Sequence, residues 1–217
     1  MSKFLREDQT QISQMIRPGS SVLDLGCGEG DFLHYLVENK NVKGVGVEIN
    51  QDRIFKCLDK GLNVIHANLD SGLALFGQNS FDYVILNETL QVLHNPIPLL
   101  KEMLRVGKHC IIGISNFGYW KIRLDLLFRG RMPMTESLPY EWHDTPNIHL
   151  CTLKDFEIAC KENGIKIVNR VFLEKPPELI SVDKETKNSV ALKGVFKGGY
   201  NLFACFGVYL INAEQKY

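Results

Sequence analysis

Apolar positions along the chain follow two rhythms. Short apolar or alternating runs at 22–25, 42–49, 63–67, 81–86, 109–115, 165–173 and 202–211 predict seven strands. Helical spacing fills most of the gaps. Leu5, Ile12, Met15 and Ile16 share one face of a first helix, closed by Pro18-Gly19. Leu33, Leu36 and Val37 define a second, within 32–38, and residues 52–60 a third, with Gly61 as its C-terminal cap. Asn95-Pro96 opens a helix whose core face is Leu99, Leu100, Met103 and Leu104, and Thr152 with Asp155 opens another that ends at Gly164. Strands that alternate with helices form a parallel sheet covered on both faces. The last two strands lack a clear helix between them, so an antiparallel pairing is open to them. The pattern predicts an α/β three-layer sandwich around a seven-stranded, mostly parallel sheet with its last strand antiparallel.

Two stretches break the rhythm. Residues 116–150 form a long connection rich in aromatics and arginine, and 174–200 is polar, with Pro176-Pro177 and Gly198-Gly199. Strand pattern resumes after each, so residues 1–217 read as one domain carrying a long connection and a variable insertion.

Composition narrows the class. The chain has 217 residues, enough for one α/β domain, with 45% hydrophobic and 23% charged positions. Its formal net charge of zero argues against a general nucleic-acid binder. Six cysteines, at 27, 57, 110, 151, 160 and 205, form no C-x-x-C pair, and most lie in apolar runs. They read as buried thiols of a reducing compartment. The polar start (1–11) is no signal peptide, and no apolar run reaches the length of a membrane span. The expected location is cytoplasmic, without a membrane partner.

The densest chemistry follows the first strand of the sheet. In Val22-Leu23-Asp24-Leu25-Gly26-Cys27-Gly28-Glu29-Gly30, glycines at alternate positions let a ligand lie against the backbone. A tight strand-to-helix turn is the plain alternative. A dinucleotide fingerprint needs G-x-G-x-x-G, and here the third glycine arrives one residue early. Asp24, Glu29 and Asp31 would repel a phosphate and attract a ligand with an ammonium and a sulfonium. That description fits S-adenosylmethionine. Glu48, closing the second strand 20 residues after Gly28, is placed to accept both ribose hydroxyls, with Ile49 packing on the adenine.

These residues resemble the class I S-adenosylmethionine-dependent methyltransferases, with their Rossmann-like sheet. The resemblance implies that Asp24, Gly26 and Gly28, with Cys27 and Gly30 in the same loop, cradle the methionine part of S-adenosylmethionine or S-adenosylhomocysteine, and that Glu48 holds the ribose. It places the adenine contact at Asn68-Leu69-Asp70, where Asn68 stands at the usual acidic position, and Asn87 where the backbone approaches the methionine amino group. Later strings are more particular. Thr89-Leu90-Gln91, Asn116-Phe117-Gly118-Tyr119-Trp120, Arg129-Gly130-Arg131-Met132-Pro133, Leu138-Pro139-Tyr140 and Asp144-Thr145-Pro146-Asn147-Ile148-His149-Leu150-Cys151-Thr152 resemble the MetW family of methionine biosynthesis proteins. That family implies a role in methionine biosynthesis beside homoserine O-acyltransferase. A methyl acceptor does not follow from it, and whether the chain is an enzyme stays open. The alternative is a methyltransferase acting on a small-molecule acceptor.

No catalytic residue is singled out. Candidates for acceptor contacts are Glu88, Gln91, His94, Asn116, Tyr119 and Trp120, joined from the long connection by His143, Asn147 and His149, each with a plain reading as a packed or capping residue. Scattered histidines and the absence of H-E-x-x-H, G-x-S-x-G and G-x-x-x-x-G-K-[ST] point to no metal site and no hydrolase or nucleotide motif. Lys121, Arg123, Arg129 and Arg131, interrupted by Leu124, Leu126, Leu127 and Phe128, read equally as a surface amphipathic helix or a docking face. Nothing in the sequence sets an oligomeric state.

Overall fold

A computed structural model of the chain describes residues 4–135, 138–181 and 199–213. Seven strands form one sheet: β2 (Ser21–Leu25), β3 (Lys43–Glu48), β4 (Asn63–His66), β5 (Phe81–Asn87), β6 (Gly107–Ser115), β7 (Ile165–Leu173) and β9 (Phe206–Ala213). Their spatial order is β4-β3-β2-β5-β6-β9-β7. The first five run parallel, and β9 lies antiparallel between β6 and β7, as expected of two strands with no full crossover helix between them. Strand β1 (Phe4–Arg6) pairs antiparallel with β8 (Leu179–Ser181) in a separate two-stranded sheet that the sequence pattern does not predict.

Side-chain alternation along the strands builds two cores. On one face Val22, Tyr83, Ile85 and Ile111 meet Ile12 of α1 (Glu7–Met15), Leu33 and Leu36 of α2 (Asp31–Lys40), Cys57 of α3 (Gln51–Asp59) and Ile122 of α5 (Trp120–Arg129). On the other, Leu23, Leu25, Val84, Leu86 and Ile112 meet Leu99, Leu100 and Met103 of α4 (Pro96–Val106) and Phe156 of α6 (Leu153–Glu162). The central strands are buried on both sides.

Several boundaries differ from the sequence reading. The run at 202–211 is not one strand: Leu202 and Phe203 belong to a short helix, α7 (Tyr200–Phe203), and pairing starts at Phe206. Apolar composition alone does not separate a helical turn from a strand entry. Asn95 stands at the N-cap of α4 without a side-chain capping bond, whereas Thr152 and Asp155 form the expected reciprocal cap of α6. Part of the long connection is helical (α5), with Glu136 and Ser137 outside the described residues. Of the 174–200 insertion, residues 182–198 lie outside them as well.

Candidate functional site

Register assembles the site. Leu25 pairs with Val47 on one side and with Leu86 on the other, so the chain leaves β2 at Gly26 between Glu48 and Asn87. This is the carboxyl edge of the parallel strands, where open α/β sheets bind ligands. The Gly26 and Cys27 amides both donate to the Val47 carbonyl, at 2.8 and 3.1 Å, folding the loop back over β3. Gly26, Gly28 and Gly30 all have positive φ, which glycine alone adopts without strain.

The three glycines serve different ends. A Cβ on Gly26 would stand 2.6 Å from Thr89 Oγ1, so this glycine lets the loop lie on the β5 exit. A Cβ on Gly30 would meet Leu62 and Cys57 at 2.5 and 2.9 Å, so Gly30 is required by packing. A Cβ on Gly28 would meet nothing within 4 Å. Gly28 therefore faces open space, the cradle that a ligand resting on backbone needs. Cys27 packs near Cys57, with sulfurs 4.0 Å apart, and burial pushes its thiol well above the usual range. It is a packed residue of the loop rather than a nucleophile.

Glu48 is buried, and its carboxylate joins the loop to its own strand end. Oε2 accepts from the Gly28 amide at 2.9 Å, and Oε1 from the Ile49 and Asn50 amides at 2.9 Å each. Asp24 lies behind it in the floor. Burial first, and then the neighbouring Glu48 charge, push the Asp24 carboxyl up to about 7. Two acidic side chains side by side make this edge of the sheet unfavourable to an anion and suited to a cation.

On the β4 side Ile49 is 58% exposed, an apolar platform at the cleft rim. The Asn68 side chain accepts from the Asp70 amide at 3.0 Å and caps a short turn (Leu69–Ser71), with Leu69 packed beneath. Asp70 points away, accepting from the Asn95 amide at 3.0 Å. Of the adenine candidates, Asn68 and Leu69 thus stand at the strand edge while Asp70 is committed to α4.

On the β5 side the structure adds residues that the sequence reading missed. Asn87 Nδ2 donates to Asp8 at 2.6 Å, and Asp8 is fully buried. Arg6 grips the same carboxylate through Nε and Nη2, at 3.1 and 2.6 Å, and forms an ion pair with Glu88 through Nη1. Glu88 itself has a left-handed backbone, φ 54°, unusual for a residue with a side chain. A signal existed: Asp8 precedes Ile12 and Ile16 at helical spacing, a carboxylate on an apolar stripe that needs a buried partner.

The proposed acceptor contacts scatter. Gln91 and Asn116 are buried and spent on backbone. Gln91 donates to the Ser115 carbonyl and accepts from the Ser115 amide, at 3.2 Å each. Asn116 donates to the Asn201 and Ala204 carbonyls at 3.0 and 2.6 Å and accepts from the Gly118 and Leu153 amides at 2.9 and 3.2 Å. Tyr119 is buried in the core under α5. His94, His143 and His149 are surface residues, Asn147 is half-buried, and His149 Nε2 lies 3.5 Å from the His94 carbonyl. Glu88 alone among these candidates belongs to the hydrogen-bonded cluster at the β5 exit. Trp120 lines a separate cleft of about 390 Å³ with Tyr119, Lys121, Glu174, Lys175 and Phe203.

Helix α5 buries only Ile122 fully, while Leu124, Leu126, Leu127 and Phe128 are exposed, as are Met132, Met134 and Trp142 beyond it. Arg123 Nε donates to the Gly118 carbonyl at 2.6 Å, and Arg129 pairs loosely with Asp125. Among the described residues no group of three or more His, Cys, Asp or Glu could hold a metal ion, and no helix is long and apolar enough to cross a membrane.

Comparison with known proteins places this geometry. Residues 6–197 match the family model described as methionine biosynthesis protein MetW. A bifunctional methionine biosynthesis protein MetXA/MetW of Rhodopirellula baltica is 38% identical over 177 residues, covering 77% of this chain. The match spans only 28% of that longer relative. A demethylmenaquinone methyltransferase of Bacillus licheniformis is 27% identical, over 74% of this chain and 77% of its own. Among solved structures, a possible histamine N-methyltransferase of Thermotoga maritima superposes with a TM-score of 0.62 at 16% identity, covering 94% of this chain and 87% of that one. An S-adenosylmethionine-dependent methyltransferase of Archaeoglobus fulgidus gives 0.63 at 17%, covering 94% and 93%. At such identities the likeness shows the fold: the seven-stranded sheet of the class I methyltransferases.

Proposed function

The chain belongs to the MetW family of methionine biosynthesis proteins, and from that premise we propose that it binds S-adenosylmethionine and acts in methionine biosynthesis together with a homoserine O-acyltransferase. The observation that carries the cofactor reading is the open backbone of Gly28 facing a wall of two buried carboxylates, Asp24 and Glu48. A phosphate would be repelled there, whereas a ligand with an ammonium and a sulfonium is matched. In this reading Asp24, Gly26, Cys27, Gly28 and Gly30 line the methionine portion, Asn87 closes it from β5, Glu48 takes the ribose, and Ile49, Asn68 and Leu69 flank the adenine. When bound, the sulfonium carries a transferable methyl group. The chain's own residues bind and orient it.

Partnership with an acyltransferase draws support from the Rhodopirellula baltica relative. Its name joins MetXA and MetW in one bifunctional chain, of which a segment like this one makes up 28%. Fusion of two modules in one protein suits modules that work in contact. The face offered for contact is residues 116–150, where α5 turns Leu124, Leu127 and Phe128 outward beside Arg129. A second reading, an enzyme methylating a small-molecule acceptor, is favoured by the likeness to a demethylmenaquinone methyltransferase over 74% of the chain.

One experiment separates them. Purified protein is titrated calorimetrically with S-adenosylmethionine and S-adenosylhomocysteine, then tested for its effect on acyltransferase rate and for methyl transfer into a cell extract. The expected result is ligand binding, a changed acyltransferase rate and no methylated product. Binding with methyl transfer and no effect on the acyltransferase would establish the second reading. No binding would overturn both.

A further inference from the structure

The carboxylate of the bound ligand poses a problem that this cleft must solve. Asp24, Glu48, Asp8 and Glu88 gather around the ends of β2, β3 and β5. They suit the ammonium and sulfonium of S-adenosylmethionine, yet its methionine portion ends in a carboxylate as well, which needs a cation. Two lysines flank the glycine loop on the α3 side. Lys56 is held by Glu29 at 2.5 Å, and Lys60 by Asp31 at 2.6 Å and by the Glu29 carbonyl at 2.7 Å, all at the exposed outer rim. On the β5 side, where Asn87 marks the methionine end, the cation is Arg6.

We propose that Arg6 binds the carboxylate of the ligand's methionine portion, exchanging its ion pair with Glu88 for one with the ligand. The inference rests on the cofactor reading above and adds a contact to that same site. The guanidinium is divided by geometry. Its Nε and Nη2 fork onto Asp8, buried and also bonded by Asn87, while Nη1 reaches the partly exposed Glu88 just past β5. The Asp8 fork therefore anchors the side chain while the Nη1 arm changes partner. The backbone is anchored too, because Arg6 pairs with Leu179 across β1 and β8 and the Glu7 amide donates to the Glu178 carbonyl at 3.0 Å. Arg6 thus arrives at the site as a fixed, forked donor suited to a carboxylate.

Glu88 is built as a partner that can be displaced. Its side chain is 39% exposed, against 0% for Asp8, and its backbone is held at φ 54°. Burial of its carboxyl outweighs the nearby Arg6 charge and leaves it above its ordinary range, so it holds its charge less firmly than a solvated glutamate. Before ligand arrives, Glu88 satisfies Nη1. Afterwards it can turn to solvent at little cost.

The test compares two ligands on the full chain by calorimetry. S-adenosylhomocysteine carries the amino-acid portion, and methylthioadenosine has the same adenosine and thioether without it. Arg6→Met is expected to weaken S-adenosylhomocysteine at least about tenfold and to change methylthioadenosine less than about twofold. Glu88→Gln, which removes the competitor, is expected to bind S-adenosylhomocysteine as tightly as wild type or more tightly. If Arg6→Met weakens both ligands alike, Arg6 merely holds the N-terminal segment in place and the inference is overturned, as it is if neither ligand is affected. Should Arg6→Met fail to fold, Arg6→Lys is measured in the same way: a selective loss for S-adenosylhomocysteine supports the inference, and an equal loss or none overturns it. A wild-type protein that bound neither ligand would instead remove the cofactor reading, and this inference with it.

Discussion

The Gly28 amide donates to Glu48 Oε2 at 2.9 Å, joining the glycine loop to the end of β3 through the carboxylate proposed to take the ribose. Since Oε1 is already bonded by the Ile49 and Asn50 amides, the Glu48 carboxylate is fixed in position before a ligand reaches it. Preorganisation of this kind lowers the cost of binding.

Glu48→Ala is therefore expected to weaken S-adenosylhomocysteine by about 1.5–3 kcal/mol, roughly ten- to 150-fold, through loss of a charge-assisted acceptor. Calorimetry measures this directly. A loss smaller than about threefold would count against a ribose contact.

The glycine loop separates ligand binding from stability. Gly28→Ala meets open space and strains only a backbone at φ 59°, at a cost of about 1–2 kcal/mol, while placing a methyl group in the cradle. Gly30→Ala adds to its own φ of 79° a clash with Leu62 and Cys57. The first variant should fold and fail to bind S-adenosylhomocysteine. The second should show the larger fall in urea midpoint. Equal binding by Gly28→Ala and wild type would remove the loop from the site.

Much of this was legible in the sequence because it rests on local chemistry. Asp24, the glycines and Glu48 are fixed by strand ends and a tight turn, and parallel register carries them to one edge. Of the Arg6–Asp8–Asn87–Glu88 cluster only the need of Asp8 for a buried partner was legible, not which partner, since Asp8 and Asn87 lie 79 positions apart and meet only when α1 packs on the sheet. The roles of Gln91 and Asn116 were hidden for the same reason. Polar residues after a strand resemble ligand contacts until their long-range backbone partners are known. The split of 202–211 into α7 and β9 reflects an apolar run with no period long enough to decide between helix and strand.

Asp24 gives a pH dependence whose sign is fixed. Its folded carboxyl titrates near 7, against an ordinary value of 3.8. Below about pH 4 both folded and unfolded forms are protonated, and the group contributes nothing. Between about pH 4 and 7 the unfolded chain is ionised and the folded one is not, so stability falls as pH rises, by at most about 4 kcal/mol, and then levels off. Urea unfolding should show the ligand-free protein more stable at pH 5 than at pH 8, and Asp24→Asn should flatten that difference. Ligand affinity should move the opposite way, rising toward pH 7 as Asp24 ionises beside a cationic ligand. A wild-type stability that climbs from pH 5 to 8 would contradict the assignment.

Asn116 is a structural knot rather than an acceptor contact. Its amide bonds two carbonyls near α7 and two amides at the starts of α5 and α6, with the side chain buried. Asn116→Ala strands these backbone groups and should cost about 2–4 kcal/mol of stability. Once folded, the variant should bind S-adenosylhomocysteine within about twofold of wild type. A selective loss of ligand affinity without destabilisation would restore Asn116 to the site.

The last expectation concerns the partner. Leu127, Phe128 and Trp142 are 72%, 77% and 75% exposed, and α5 keeps only Ile122 in the core. Large apolar groups this accessible bury little surface in the fold, so replacing them should leave stability within about 0.5 kcal/mol of wild type. An interface places its binding energy in such aromatic and apolar anchors, ringed by arginine. Leu127→Ser/Phe128→Ser and Trp142→Ala should each weaken capture of a homoserine O-acyltransferase at least about tenfold, and Arg129→Ala by a smaller factor. Arg123→Ala is a poorer probe, because it also breaks the 2.6 Å bond to the Gly118 carbonyl that shapes the start of α5. The capture is run with and without S-adenosylmethionine. Wild-type capture by every variant would end the docking assignment. Loss of capture that is indifferent to S-adenosylmethionine would keep the surface but separate it from the cofactor cleft, since coupling requires the ligand to favour one of two states of the 116–150 connection.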